Sequence, residues 1–217
     1  MTRAVVFDLW DTLVDFDVEG QLAVQAEMAK RLGRDAEGFQ REWSETRATR
    51  ELGPLAPSLV AFGADEALVR ELVDLRVAAA RGWLVPRDGA LETLRELGRR
   101  GIGRGLLSVC SEEVATLWDE TAFSGLFEST VFSCSVGLAK PDPRIYRLAC
   151  QELGVEPADA IFVGDGANDE LAGAERVGMR AVLIHTPGRD PYWPAAKNWT
   201  GARITSIPEV LELVKDQ

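Results

Sequence analysis

Short continuous apolar runs alternate with amphipathic helical stretches along this chain, and that alternation leaves few folds open. Ala4-Val5-Val6-Phe7, Gly105-Leu106-Leu107, Ala160-Ile161-Phe162-Val163 and Ala181-Val182-Leu183-Ile184 are apolar without a polar face. Ser129-Thr130-Val131-Phe132 is a weaker fifth run. Strands with no polar alternation belong in a parallel sheet covered on both faces. Between them, Leu91, Leu94 and Leu97 recur at helical spacing before Gly101. Pro143 opens a stretch with Ile145, Leu148, Ala149 and Leu153 on one face, closed by Gly154. Leu171, Ala174 and Val177 repeat the pattern before Gly178. Strand and helix in this rhythm predict an α/β fold with a doubly wound parallel sheet.

The segment from Asp15 to Pro86 departs from that rhythm. It has helical patterns at 22–32, 36–50 and 65–83, punctuated by Gly53-Pro54, Ala56-Pro57 and Gly63, and lacks a strand signal. The expected organisation is therefore an α/β core of residues 1–14 and 87–217, interrupted by a small helical domain at 15–86. With 217 residues, the chain has room for both.

Composition narrows the chemistry. There are 35 acids against 24 bases, a net charge of −11, and an acidic body repels phosphate backbones, which argues against nucleic acid. No apolar run approaches the ~20 residues of a membrane span, and the apolar start ends at Asp8, too early for a signal peptide. Three cysteines at irregular spacing fit a reducing compartment and a cytoplasmic protein. The single histidine, His185, argues against a Ser-His-Asp triad or a multi-histidine metal site. Carboxylates, a lysine or hydroxyls must carry any reaction.

Those groups fall where a parallel sheet binds ligands, at the carboxyl ends of its strands. Asp8 follows Phe7, Ser108 follows Leu107, and Asp165 follows Val163-Gly164, with Asp169 four residues further on. Any one strand-end aspartate is more simply a turn or helix cap. Together they form an oxygen-rich group suited to a hard cation, with Lys140 in the loop Gly137-Leu138-Ala139-Lys140-Pro141.

Four segments resemble the haloacid dehalogenase (HAD) superfamily in its own order. Phe7-Asp8-Leu9-Trp10-Asp11-Thr12-Leu13 is similar to its first motif and Leu106-Leu107-Ser108 to its second. Lys140-Pro141-Asp142-Pro143 resembles its lysine motif, and the stretch from Val163-Gly164-Asp165 to Asp169-Glu170 its acidic motif. The resemblance spans residues 5–174 and implies a HAD-like Rossmannoid core with a helical cap between the first two motifs. It further implies a hydrolase in which Asp8 is the nucleophile. Ser108 and the backbone N–H of Val109 would bind the transferring group, and Lys140 would neutralise it. Mg2+ would be held by Asp8, the Trp10 backbone carbonyl, Asp165 and Asp169. The implied substrate is a small, anionic, phosphorylated metabolite, taken by a monomer or homodimer.

One position departs from the pattern. Phosphatase members carry a general-acid aspartate two residues after the nucleophile, and this chain has Trp10, whose indole has no titratable proton near neutrality. Asp11 is the alternative acid, but one step along an extended segment reverses side-chain direction, so its plainer role is to order the following turn. Three explanations remain: a good leaving group, a proton from water or substrate, or a halide that needs none. The last matches 2-haloacid dehalogenases, which have an aromatic residue at the position of Trp10. Those enzymes lack an aspartate at the position of Asp165 and usually have asparagine where this chain has Val109. Asp165 therefore favours the Mg2+-dependent phosphatase branch. A HAD-like binding protein without turnover is the remaining alternative.

Elsewhere the plainer readings hold: Arg41, Arg47 and Arg50 on a solvated cap face, with the option that one reaches the substrate; Trp43 and Trp83 packed between cap helices; His185 structural; Cys110 a buried hydrophobe; Asp142 a helix cap; Gly166 and Gly173 for tight turning and close packing. Trp193 and Trp199 anchor a C-terminal loop.

Overall fold

A computed structural model of the chain describes residues 1–185 and 193–214. Among the described residues six strands form one all-parallel sheet: β1 Ala4–Phe7, β2 Gly103–Ser108, β3 Ser129–Phe132, β4 Ala160–Gly164, β5 Arg180–Ile184 and β6 Ala202–Ile204. Their order is β3-β2-β1-β4-β5-β6, the Rossmann-type order. The five expected strands are present. The sixth, β6, was not expected, because a three-residue edge strand centred on the exposed Arg203 has no apolar run to announce it.

Alternate residues of the strands feed two cores. Val5 and Phe7 of β1 pack with Leu106, Ile161, Val163 and Val182 on one face. Ala4 and Val6 pack with Leu107, Ala160, Phe162 and Ala181 on the other. Both sides of β1 are buried, which is why its sequence shows no alternation. Helix Pro143–Glu152 starts where Pro143 suggests, with Asp142 as its cap accepting from Arg144 N at 2.9 Å. Gly154 and Gly178, the two expected helix stops, adopt positive φ.

Between β1 and Pro86 lie five helices, Val18–Arg31, Ala36–Glu45, Arg47–Arg50, Ala56–Ala61 and Glu66–Trp83. They bury a cluster of their own, including Met28, Phe39, Trp43, Leu55, Leu59 and Leu72. Aspartates 17, 35 and 65 cap the three longest by accepting backbone N–H groups. Trp83 packs in the sheet's core and also against the first of these helices, where a Cβ at Gly20 would lie 2.8 Å from its indole nitrogen. The segment leaves and rejoins the sheet at neighbouring points. Val14 bridges both Trp10 and Pro86, and Arg87 N donates to Leu13 O at 2.8 Å. Among the described residues, no helix is long and apolar enough to cross a membrane.

The order of the strands determines where a ligand can sit. From β1 the chain crosses to β2 and β3 on one side, then returns to β4 on the other. A crevice opens where that direction reverses, beyond the carboxyl ends of β1 and β4. Gly173 brings the helix Glu170–Arg176 against Tyr146 there, because a Cβ at 173 would lie 2.5 Å from the Tyr146 hydroxyl. Gly173→Ala should overpack this contact and destabilise by about 1–3 kcal/mol. Thermal denaturation checks it, with a fall of roughly 2–4 °C expected per kcal/mol at this size. An unchanged midpoint would mean the helix moves freely.

Candidate active site

Asp8 is the first residue beyond β1, and its N–H continues the sheet by donating to Val163 O at 2.8 Å. The backbone is held there by a parallel neighbour on each side, β2 and β4. Asp165 follows β4 on the adjacent strand, so the two carboxylates meet at the switch point. Lys140 reaches in from the loop after β3 and donates to both Asp8 and Glu170. All three of these side chains are nearly inaccessible to solvent: Asp8 4%, Lys140 6% and Glu170 0% exposed.

One oxygen from each of Asp8, Asp165 and Glu170 lies within 4.8 Å of the others. The group departs from sequence expectation in one member. Asp169 is exposed and Glu170 takes its place. Asn168 and Asp169 both adopt left-handed backbone conformations, so the turn uses one more residue before the helix begins at Glu170. Glu170 then shares the buried face with Leu171 and Ala174. The helical repeat carried that signal, since Glu170 is one turn before Ala174. Space for the carboxylate comes from Gly164, where a Cβ would lie 2.1 Å from Glu170 Oε1. Glu170 Oε1 also accepts from Gly166 N at 3.0 Å.

The electrostatics follow from burial. Desolvation alone would lower the Lys140 pKa, but the charges of Asp8 and Glu170 outweigh it and raise it, keeping the ammonium charged. Asp165 is pushed up to about 6, by burial first and then by Asp8. Its oxygens are oriented by Ala167 N at 3.0 Å and by the Trp193 indole N–H at 3.0 Å. Buried carboxylates that repel one another, offering only hard oxygen donors, fit a hard cation, which would relieve that repulsion.

Ser108 ends β2 beside this group. It is fully buried, and its Oγ has no hydrogen-bond partner among the described residues. Val109, Cys110 and Ser111 line a cavity of about 740 Å3 together with Asp8, Trp10, Lys140 and Asp165. A separate cavity of about 590 Å3, along Asp15 and Arg87, holds none of the acidic group. Trp10 is half-buried and packs edge-on against Phe16 at 5.6 Å. Asp11 accepts from Phe16 N at 3.1 Å and so orders the turn, in a left-handed conformation. Cys110 is buried as expected, and His185, half-buried, donates its backbone N–H to Ile204 O.

The cap differs from expectation at two residues. Arg41 and Arg47 are exposed, but Arg50 is 4% exposed with its guanidinium 3.7 Å from the Trp43 ring centre. Arg76 was not singled out in the sequence, where it sits among apolar residues of one long helix. It is buried at 2% and paired with Glu113.

Comparison with known proteins accords with this geometry. The model of the haloacid dehalogenase-like hydrolase family matches residues 2–178. The chain belongs to that family. It is 30% identical over 203 residues to glyceraldehyde 3-phosphate phosphatase of Methanopyrus kandleri, covering 85% of this chain and 84% of that one. It is 28% identical over 204 residues to (S)-2-haloacid dehalogenase 4A of Burkholderia cepacia, covering 89% and 87%. The crystal structure of a 2-haloacid dehalogenase from Pseudomonas syringae pv. Tomato superposes with a TM-score of 0.74 at 24% identity over 98% of both chains, a likeness of fold. The chain is thus a HAD hydrolase with relatives in both the phosphatase and the dehalogenase branches.

Removing Lys140 from this HAD site leaves two buried carboxylates facing each other. Lys140→Met should cost about 3–5 kcal/mol, the penalty for breaking a buried pair on one side. Urea denaturation near pH 7 measures it, and a loss below about 1 kcal/mol would show that Asp8 and Glu170 tolerate each other without the lysine.

Proposed function

We propose that the chain is a Mg2+-dependent phosphatase acting on a small phosphorylated metabolite through an aspartyl-phosphate at Asp8. The observation that carries this reading is Asp165 beside Asp8 and Glu170, an oxygen group with no use in a reaction that needs no cation. The Asp8 carboxylate attacks phosphorus and the ester P–O bond breaks, and with no acid at Trp10 the leaving oxygen departs as its anion and takes a proton from water. Water then attacks the acyl phosphate, releasing phosphate and restoring the carboxylate. Lys140 offsets the negative charge of nucleophile and phosphoryl group. The Ser108 hydroxyl and Val109 N–H hold phosphoryl oxygens. Asp8, Asp165, Glu170 and the Trp10 carbonyl would hold Mg2+, which when bound screens the repulsion between carboxylate and phosphate. Residues 1–14 and 87–217 act as the catalytic core and 15–86 as a cap over the cavity. The same reading makes the protein a cytoplasmic monomer or homodimer, in keeping with three unpaired thiols.

Trp10 supports a second reading. With no acid at that position, and Asp11 committed to Phe16 N, displacement of halide from a 2-haloacid is favoured on proton grounds alone. The (S)-2-haloacid dehalogenase of Burkholderia cepacia supports it among the relatives. Phosphate esters and 2-haloacids, each with Mg2+ and with chelator, separate the two. Chelator-sensitive phosphate release is expected, and chelator-resistant halide release would replace the phosphatase reading.

Three further outcomes are expected. Asp8→Asn abolishes turnover while circular dichroism stays native, and retention of more than about half the rate would remove Asp8 as nucleophile. Glu170→Ala lowers Mg2+ affinity in calorimetry well beyond Asp169→Ala. The reverse order would return the ligand role to Asp169. Leaving-group dependence should also be steep. Aryl or acyl phosphates exceed alkyl phosphates by ~10²-fold or more, the lower bound of what a general acid supplies. Equal, chemistry-limited rates would mean that another group donates the proton.

A further inference from the structure

We propose that Trp193 is a positioning residue for the cation site: its indole N–H fixes the Asp165 carboxylate in the orientation that holds Mg2+. The inference rests on the reading in which Asp165 is a Mg2+ ligand. It begins from how loosely the local backbone constrains that side chain. Asp165 lies just past the end of β4, and the chain leaves the extended path at once, with Gly166, Asn168 and Asp169 all at positive φ. Ala167 N donates to Asp165 Oδ1 at 3.0 Å, a contact of the Asx-turn kind. It ties one oxygen and leaves the other to be placed by a group from outside the turn.

That group comes from 28 residues further along the chain, where the Trp193 indole N–H donates to Asp165 Oδ2 at 3.0 Å. The donor is itself fixed from two sides. Its ring packs against the core cluster that contains Phe162 and Leu183. The helix that follows it, Pro194–Lys197, is seated on the acidic turn: Ala196 is fully buried, and a Cβ at Gly166 would lie 2.7 Å from the Ala196 Cβ. Gly166 therefore turns the chain and also admits the segment that carries Trp193. An anchoring tryptophan needs only its ring for that purpose. Trp193 is half-buried and lines the catalytic cavity, a place where an indole can satisfy its N–H with solvent. Here the N–H is aimed at a carboxylate of the site instead.

The chemistry of the donor suits this task. An indole N–H donates and cannot accept, so Trp193 acts on the cation only through Asp165. It is also neutral, unlike Lys140, whose ammonium sits between Asp8 and Glu170. Two neutral donors hold both Asp165 oxygens without cancelling the charge that a cation needs. Each carboxylate oxygen offers two lone-pair positions, so one on each is left for the ion. Outer partners of this kind set the orientation of a metal ligand, and their loss costs about 10–100-fold in affinity.

Calorimetric titration with Mg2+ of the wild type, Trp193→Phe and Trp193→His tests the proposal. Trp193→Phe keeps a six-membered ring to pack and loses the donor. Trp193→His has the smaller ring and keeps a donor, because imidazole Nε2 overlays indole Nε1 when the five-membered rings are superposed. Trp193→Phe should bind Mg2+ ~10-fold more weakly than the wild type, the lower end for loss of an outer partner, and Trp193→His should recover part of that loss. A packing role alone gives the opposite order, with Trp193→His the weaker. That order, or equal affinity in the wild type and folded Trp193→Phe, overturns the inference and leaves the metal reading standing. If the variants do not fold, nuclear magnetic resonance of the wild type decides. The assigned indole N–H signal of Trp193, one of six in the chain, should move as Mg2+ is added and saturate with the calorimetric affinity. A signal that stays in place while Mg2+ binds overturns the proposal. If the wild type binds no Mg2+ at all, the metal reading fails and takes this inference with it.

Discussion

The Lys140 ammonium, buried between the carboxylates of Asp8 and Glu170, is the contact on which the catalytic end of this molecule depends. Three strand ends and one helix start converge there, and each brings a group that cannot be buried alone. A buried ion pair contributes little to stability in net terms, because desolvation offsets most of the attraction. Breaking it on one side is costly. The arrangement therefore acts as a lock on geometry: the β1 end, the loop after β3 and the helix Glu170–Arg176 are compatible only in one relative position. The glycines at 164 and 173 follow from this, since a Cβ at either would displace Glu170 or Tyr146. Tyr146 in turn donates its hydroxyl to the Glu170 carbonyl at 2.9 Å, tying the helix that follows Lys140 to the helix that starts at its partner.

How far the sequence revealed this depends on the kind of signal. The central strands were legible because both faces are buried, and a run such as Ala160-Ile161-Phe162-Val163 has few other uses. The capping Asp142 and the terminal Gly154 and Gly178 were legible because their backbone conformations restrict residue choice. The edge strand β6 was not, since an exposed three-residue edge needs no apolar side chains. Asp8, Lys140 and Asp165 could be located as strand-end and loop residues. Glu170, which lies with Asp8 and Asp165, was not legible beside Asp169, because two left-handed residues lengthen the turn and spacing alone does not reveal them. Arg50 and Arg76 were the hardest. A buried arginine has the same letter as a solvated one, and only the packing of Trp43 and Glu113 distinguishes them.

Trp10 shows how one residue can shift the chemistry without changing the scaffold. Its backbone occupies the turn after β1, where Val14 bridges it, and its ring packs on Phe16. The neighbouring Asp11 adopts a left-handed conformation and accepts from Phe16 N, which orders the turn. The indole thus replaces a proton donor with an apolar wall at the cavity's catalytic end. On the phosphatase reading, the burden of leaving-group charge passes to the substrate.

Charge is also distributed unevenly across the two halves of the cavity. The chain carries 35 acids and 24 bases, yet the cavity wall described here has five acids, Asp8, Asp11, Glu51, Glu113 and Asp165, facing four bases, Arg47, Arg50, Arg76 and Lys140. The acids at the sheet edge gather where a cation would sit, whereas the arginines all belong to the helical segment. An anionic ligand approaching an acidic protein is repelled at long range, but salt screens that repulsion beyond roughly 8–10 Å. Inside the cavity the local field decides, and buried cations are screened far less. The pairing of Arg76, on helix Glu66–Trp83, with Glu113, on helix Glu112–Leu117 of the sheet side, then does two things at once. It ties the helical segment to the sheet, and among the described residues it leaves Arg50 without a carboxylate partner.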